Sequence, residues 1–248
     1  MDCVSADGAG FIGYAARAGF GGFGVNVSES LCWEADGEAA CDRFSLGGAP
    51  PQSSAEVISW SSRTLRVSGR WSPIVPAVSV VLLEREDGRI EWSCLSPAAT
   101  ARVTVGARAY EGGGYVERLV MTLPIARLPI RELRWGRFIS GAQSCVWIRW
   151  AGQVERSLCF HNGRPVDAAG EPAGLAWPGH RMHLEPGTVI RSGRIGSGGA
   201  RSARWVRLLL PSAVRRIEET KWCSRGFLDD AHGNRHCGWA VHEVVVFP

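Results

Sequence analysis

The residue of this 248-residue chain best placed for acid chemistry is Glu117, which follows a run of three glycines in Tyr110-Glu111-Gly112-Gly113-Gly114-Tyr115-Val116-Glu117-Arg118. The glycines allow close backbone approach or a bend at a strand start, and strand alternation after them puts Tyr115, Glu117 and Leu119 on one face. If that face is interior, desolvation raises the carboxyl pKa and keeps Glu117 protonated, as a general acid requires. The competing arrangement is a surface strand with Glu117 in water, since carboxylates are seldom buried unpaired.

Tryptophan supplies the second set of candidates, with eleven in the chain against three tyrosines and eight phenylalanines. In Cys145-Val146-Trp147-Ile148-Arg149-Trp150, Trp147 and Arg149 share one strand face while Ile148 and Trp150 share the other. Both faces carry an indole, usable either as structural cation–π pairs with arginine or as the wall of an aromatic cavity. Trp135 precedes this strand, and near the C-terminus Trp239, Val241, Glu243 and Val245 face one way while His242 points the other. Tyr115, Trp135, Trp147, Trp150, Trp239 and Glu243 are the candidate substrate contacts, with several of the four indoles expected to line one internal cavity. Glu243 has an alternative use as the partner of a buried arginine. His161, His180, His183, His232 and His236 sit near turns without metal-ligand spacing and are expected to be solvated.

Composition removes several function classes. Net charge is +4, and the arginines are spread among acidic residues rather than gathered into a stripe, so no nucleic-acid partner is expected. Lys221 is the only lysine, which reads as codon bias. No apolar run approaches the roughly 20 residues of a membrane-spanning helix, and no signal peptide is evident, so a cytoplasmic location is expected. The eight cysteines lack framework or CxxC spacing, so they are expected to be reduced and to bind no metal. Nucleophile-elbow, phosphate-loop and dinucleotide motifs have no credible context, and no cofactor is implied.

The elements that must position these residues are strands. Segments rich in β-branched and aromatic residues recur at 78–84, 89–94, 101–105, 115–123, 144–150, 156–161, 189–194, 203–210 and 238–247. Asp87-Gly88 and Asn162-Gly163 supply hairpin turns. Pro211 to Thr220 is the best helical candidate, and the first 55 residues read as loops with two short strands at most. The expected fold is all-β, built around a closed or nearly closed antiparallel barrel, and length alone allows one large unit or two small domains.

Gly114-Tyr115-Val116-Glu117, Leu-Arg-Trp-Gly-Arg-Phe at 133–138, Val146-Trp147-Ile148-Arg149-Trp150, His161-Asn162-Gly163 and Gly238-Trp239-Ala240-Val241-His242-Glu243-Val244-Val245 together resemble the carotenoid 1,2-hydratase and AttH-like group. The resemblance covers about residues 55 to 248. It implies a lipocalin-like fold of two barrel-like halves, here residues 1–125 and 126–248 with the first reduced in size, and hydration or cyclisation of polyenes without a cofactor. It also matches Glu117 to the acidic position of a Gly-Tyr-x-Asp pattern, with Glu in place of Asp and Arg118 directly after it.

Two functions from different classes fit these residues. In one, an apolar polyene of isoprenoid or polyketide origin enters an aromatic-lined pocket, and Glu117 protonates a C=C bond on the way to a hydrated or cyclised product. A pericyclic variant needs only a pocket that holds the reacting termini together. In the other, the protein is a non-catalytic carrier or sensor of a lipophilic metabolite, and Glu117 is an inert ion-pair partner.

Overall fold

The computed structural model describes residues 1–20, 23–36, 38–54, 56–141, 143–171, 173–195 and 212–248. Strand dominates, as the aromatic alternation predicts. The N-terminal strands are β1 (Asp2–Ser5), β2 (Gly10–Phe20), β3 (Phe23–Trp33), β4 (Ala39–Leu46), β5 (Gln52–Ser53), β6 (Ile58–Ser62), β7 (Val67–Pro73), β8 (Val78–Arg85), β9 (Gly88–Val105) and β10 (Arg108–Met121). They form one antiparallel sheet in the order β4-β3-β2-β1-β10-β9-β7-β6-β5, with β8 on the other part of the β9 edge. The C-terminal strands are β11 (Ile130–Ser140), β12 (Gln143–Gly152), β13 (Arg156–His161), β14 (Arg164–Pro165), β15 (Ala176–Trp177), β16 (His180–Leu184), β17 (Thr188–Arg194), β18 (Glu218–Asp229) and β19 (Arg235–Val246). They form a second antiparallel sheet ordered β14-β13-β12-β11-β19-β18-β16-β15, with β17 also on β18. No helix among the described residues is long and apolar enough to cross a membrane.

Several expectations need correction. The first 55 residues hold four long or medium strands, because Phe11, Ile12, Leu31, Cys32 and Trp33 pack into buried clusters that outweigh the local glycine content. The helix placed at 211–220 shrinks to one turn, Ser212–Arg215, and residues 218–220 open β18. Cys32 and Cys41 are disulfide-bonded across β3 and β4 at a Cα separation of 4.8 Å, so these two are not reduced. His161 is not solvated: it packs on Trp177 and His180, and burial pushes its imidazole down to about 4. The strand expected at 203–210 lies outside the described residues.

The segments 89–94 and 101–105 are one continuous strand, β9, whose buried side changes along its length. Ile90, Trp92 and Cys94 pack toward the C-terminal sheet, whereas Ala99, Ala101, Val103 and Val105 fill the N-terminal interior. A register irregularity against β10 at Gly114–Glu117 accompanies the change of face. The Asn162-Gly163 turn has positive φ at both residues, 48° and 74°, as a tight hairpin between β13 and β14 requires.

Four buried clusters organise the packing. One fills the N-terminal interior around Trp60 and Trp71. Another fills the C-terminal interior around Phe138, Trp147 and Met182. The other two lie between the sheets: Trp92, Tyr115, Ile139, Ile148 and Trp150 on one side, and Val4, Ile12, Trp33 and Cys223 on the other. Gly136 on β11 shows how tight the C-terminal interior is. A Cβ there would stand 2.2 Å from Trp147 Cζ2, and the overpacking expected of Gly136→Ala is about 1–3 kcal/mol, read as a lower urea midpoint at unchanged slope.

Candidate active site

Between the two inter-sheet apolar clusters the facing strands present polar side chains around a cavity of about 80 Å³. On the N-terminal side, β10 turns Gly114 and Val116 into its own interior, so Tyr115 and Glu117 face the opposite sheet. Tyr115 is buried and Glu117 half-buried, whereas Leu119, expected on the same face, is largely exposed where the cover runs out. The Tyr115 hydroxyl donates to Glu117 Oε2 at 2.6 Å, and the buried Trp92 Nε1 donates to the same oxygen at 2.7 Å. Burial pushes the Glu117 carboxyl above the usual carboxylate range, while these two donated bonds pull it the other way. Burial likewise holds the Tyr115 hydroxyl well above its ordinary pKa, so it stays neutral and donates.

The C-terminal side is a row of register neighbours on four adjacent strands: Trp135 on β11, Glu243 on β19, Lys221 on β18 and Arg191 on β17. Lys221 Nζ lies 3.1 Å from Glu219 and pairs closely with Glu243, and its side chain is 6% exposed. Desolvation lowers the Lys221 pKa, and Glu219 opposes that shift. Two ion pairs join the sheets on either side of this row. Arg137 of β11 grips Asp2 of β1 with Nη2 at 2.5 Å and Nε at 3.0 Å, and Arg191 reaches Glu29 of β3 at 2.6 Å.

The structure brings together Tyr115, Glu117, Trp135 and Glu243 from the sequence-derived candidates and separates the other three. Trp147 lies inside the C-terminal core, packed against the position of Gly136. Trp150 belongs to the apolar packing between the sheets, and Trp239 donates to the Ala6 carbonyl at 3.2 Å and lines a neighbouring cleft. The four indoles therefore do not share one cavity. Strand alternation separates Trp147 from Trp150, and the cavity lies between the two sheets rather than in the interior cluster of either. Glu243 pairs with a lysine, not an arginine. Lys221, Tyr14, Asp2, Arg137 and Trp92 were missed. A single lysine in a chain with 28 basic residues was the available signal for the first of them.

A second, wider cleft of about 630 Å³ opens beyond the Asp2–Arg137 pair, lined by residues that include Gly113, Ile139, Ser140, Gly238 and Trp239. Arg137 borders both spaces.

His242 lies on the far face of β19 from Glu243, stacked on Trp222 with ring centroids 5.3 Å apart and bonded to Ser224 at 2.8 Å. Burial pushes its imidazole from 6.5 down to about 4. The folded state therefore binds this proton more weakly than the unfolded chain, so the stabilisation is complete above pH 6.5 and is lost as pH falls through 4. That shift corresponds to about 3 kcal/mol. Urea unfolding of the wild type should weaken between pH 7 and pH 4.5 by more than that of His242→Gln; parallel curves would remove His242 as the cause.

No family model and no curated protein sequence matches the chain. Solved structures do. Kievitone hydratase from Nectria haematococca aligns over 99% of this chain and 87% of its own, with a TM-score of 0.55 at 9% identity. CghA, solved with Sch210972, aligns over 99% and 86%, with a TM-score of 0.53 at 10% identity. An AttH-type protein from Nitrosomonas europaea aligns over 97% and 89%, at 0.47 and 9%. The first two likenesses show that the chain shares the lipocalin-like fold of this group.

Proposed function

We propose that the protein is a cofactor-independent hydratase or cyclase acting on an alkene-bearing small molecule, with its reacting centre in the cavity between the two sheets and Glu117 as proton donor. The observation that carries this is the Glu117 carboxyl itself: half-buried, raised in pKa by desolvation, and fixed through Oε2 by Tyr115 and Trp92. Among the described residues no group is bonded to Oε1, which makes it the oxygen from which a proton can leave. Proton transfer to one alkene carbon leaves cationic character on the other, and the Trp135 ring at the cavity wall, itself packed edge-to-face on Trp92 at 5.8 Å, stands beside the site to stabilise it. Capture by water gives a hydrated product; capture by a second alkene of the same molecule gives a ring. A hydratase among the proteins of this fold supports the assignment.

The small cavity has room for the reacting end of a substrate and a water, not for a whole polyene. The 630 Å³ cleft on the other side of Arg137 has the size of an ordinary small-molecule site, and a substrate reaching from the cavity into it requires the Asp2–Arg137 pair to part. Mass spectrometry of compounds that co-purify with the protein tests the assignment. An alkene converted by the wild type to a product heavier by one water, or to an isomer of equal mass, supports it. Recovery of a bound alkene that is released unchanged supports a carrier instead.

A further inference from the structure

Resting on that reading, we infer that the reacting end of the substrate carries a carbonyl oxygen, and that Lys221 and Tyr14 bind it. The pocket anticipated from tryptophan content was apolar, but the side chains around the 80 Å³ cavity include Asp2, Tyr14, Glu117, Arg137, Lys221 and Glu243. A hydrocarbon seated against them would strip water from polar groups and return no hydrogen bond, which is among the most unfavourable ways to bury a ligand.

The unused donors say which oxygen fits. An ammonium has three N–H donors, one more than the two carboxylates, Glu219 and Glu243, that lie beside Lys221 Nζ. The Tyr14 ring lies under Nζ at 5.7 Å, a face contact rather than a hydrogen bond, and among the described residues no group is bonded to the Tyr14 hydroxyl. Burial pushes that hydroxyl well above its ordinary pKa, so it is a neutral donor. Tyr14 on one sheet and Lys221 on the other face the same cavity, and two donors converging there match an oxygen with lone pairs and no proton of its own; with the Glu117 and Glu243 carboxyls already lining the space, an uncharged carbonyl fits better than a carboxylate. A carbonyl sharing so small a space with the Glu117 carboxyl places the alkene within a few bonds of it but unconjugated, because a C=C conjugated to a carbonyl held by an ammonium is too electron-poor to take a proton, so the substrate class is an unsaturated ketone, ester or amide whose alkene is separate from the carbonyl.

The position also explains why this basic residue is a lysine. Arginine carries a planar five-donor fork on a longer side chain, which would fill the cavity, whereas a compact ammonium leaves space above it.

The test uses cyclohexenone and methylenecyclohexane as probes. They are close in size, and the hydrocarbon would win in a merely apolar site. Because Lys221 is the only lysine, protein grown on lysine labelled at Nζ with heavy nitrogen gives one side-chain ammonium resonance to watch. Cyclohexenone should shift that resonance with the same saturation curve as it quenches indole fluorescence, and should bind about ten-fold or more tightly than methylenecyclohexane, as a hydrogen bond from a charged donor implies. Tyr14→Phe should weaken the ketone by several-fold and leave the hydrocarbon unchanged. Lys221→Met should abolish the preference; should that variant fail to fold because Glu219 and Glu243 are left facing each other, the wild-type resonance and Tyr14→Phe still decide. A resonance that does not move, equal affinity for the two probes, or no ketone binding up to its solubility overturns the inference. Glu117→Gln should retain the ketone preference, so failure of the acid role and failure of carbonyl binding appear in different measurements.

Discussion

Glu117→Gln should bind the substrate as the wild type does and turn it over about 10²-fold or more slowly, the usual span for a lost general acid. Glutamine keeps the volume and an oxygen to accept from Tyr115 and Trp92, but has no proton to give. The pH profile should agree. Because desolvation raises the carboxyl pKa, wild-type activity is present at pH values below that raised pKa and falls as pH rises through it. Stability follows the same sign: a raised folded-state pKa contributes stabilisation that is lost on going to higher pH. The neutral amide has no such loss, so the variant should be at least as stable as the wild type in mildly alkaline buffer. Turnover at the wild-type rate would end the acid role and leave a pericyclic or carrier function as the better account. An unfolded variant would show instead that Glu117 is a packing partner. Rate, affinity and urea midpoint measured together separate the three.

How much of this was legible in the sequence differs from element to element. Tyr115 and Glu117 could be placed on one face because a two-residue period survives local irregularity, and the glycines before them do permit close approach: a Cβ at Gly114 would meet Ala101 and the Trp71 ring. The same period correctly put Trp239, Val241 and Glu243 together and His242 opposite. What alternation cannot say is which buried space a face looks into. Trp147 and Trp150 are both buried, but one lies in the C-terminal interior and the other between the sheets, because a strand shared by two packed layers has apolar residues on both faces. Without that distinction, several of the four indoles look able to share one cavity.

Lys221 was lost for a different reason. Pro211 to Thr220 reads as helix on local spacing, yet residues from Glu218 onward pair with β19 over twelve residues, so long-range pairing overrode the local pattern. With β18 unrecognised, nothing placed Lys221 beside Glu243, and its singularity looked like composition. The disulfide between Cys32 and Cys41 was hidden by the same kind of error, since the strands that bring them into register were read as loop.

Arg137→Met should destabilise the protein by about 3–5 kcal/mol, the range expected when one partner of a buried ion pair is removed and the other is left charged. Both side chains of the Asp2–Arg137 pair are almost fully buried, 7% and 3% exposed, and the contact is bidentate. Arg137 also donates to the Trp239 carbonyl at 3.1 Å, while the Asp2 carbonyl accepts from Trp71 Nε1 at 2.6 Å, so the pair is tied into both sheets. For a chain of this size the loss should lower Tm by about 10 °C. Asp2→Asn combined with Arg137→Met should recover much of it, because neither member of the pair is then left charged opposite an apolar side chain. A double-mutant cycle therefore distinguishes an ion-pair effect from the loss of arginine packing, which Asp2→Asn cannot repair. Since Arg137 forms the wall between the 80 Å³ cavity and the 630 Å³ cleft, the double variant should also admit bulkier apolar probes to the inner cavity than the wild type does. A single variant that loses less than about 1 kcal/mol would show that the sheets are held by the apolar clusters alone, and that this pair serves to divide the two spaces rather than to join the two sheets.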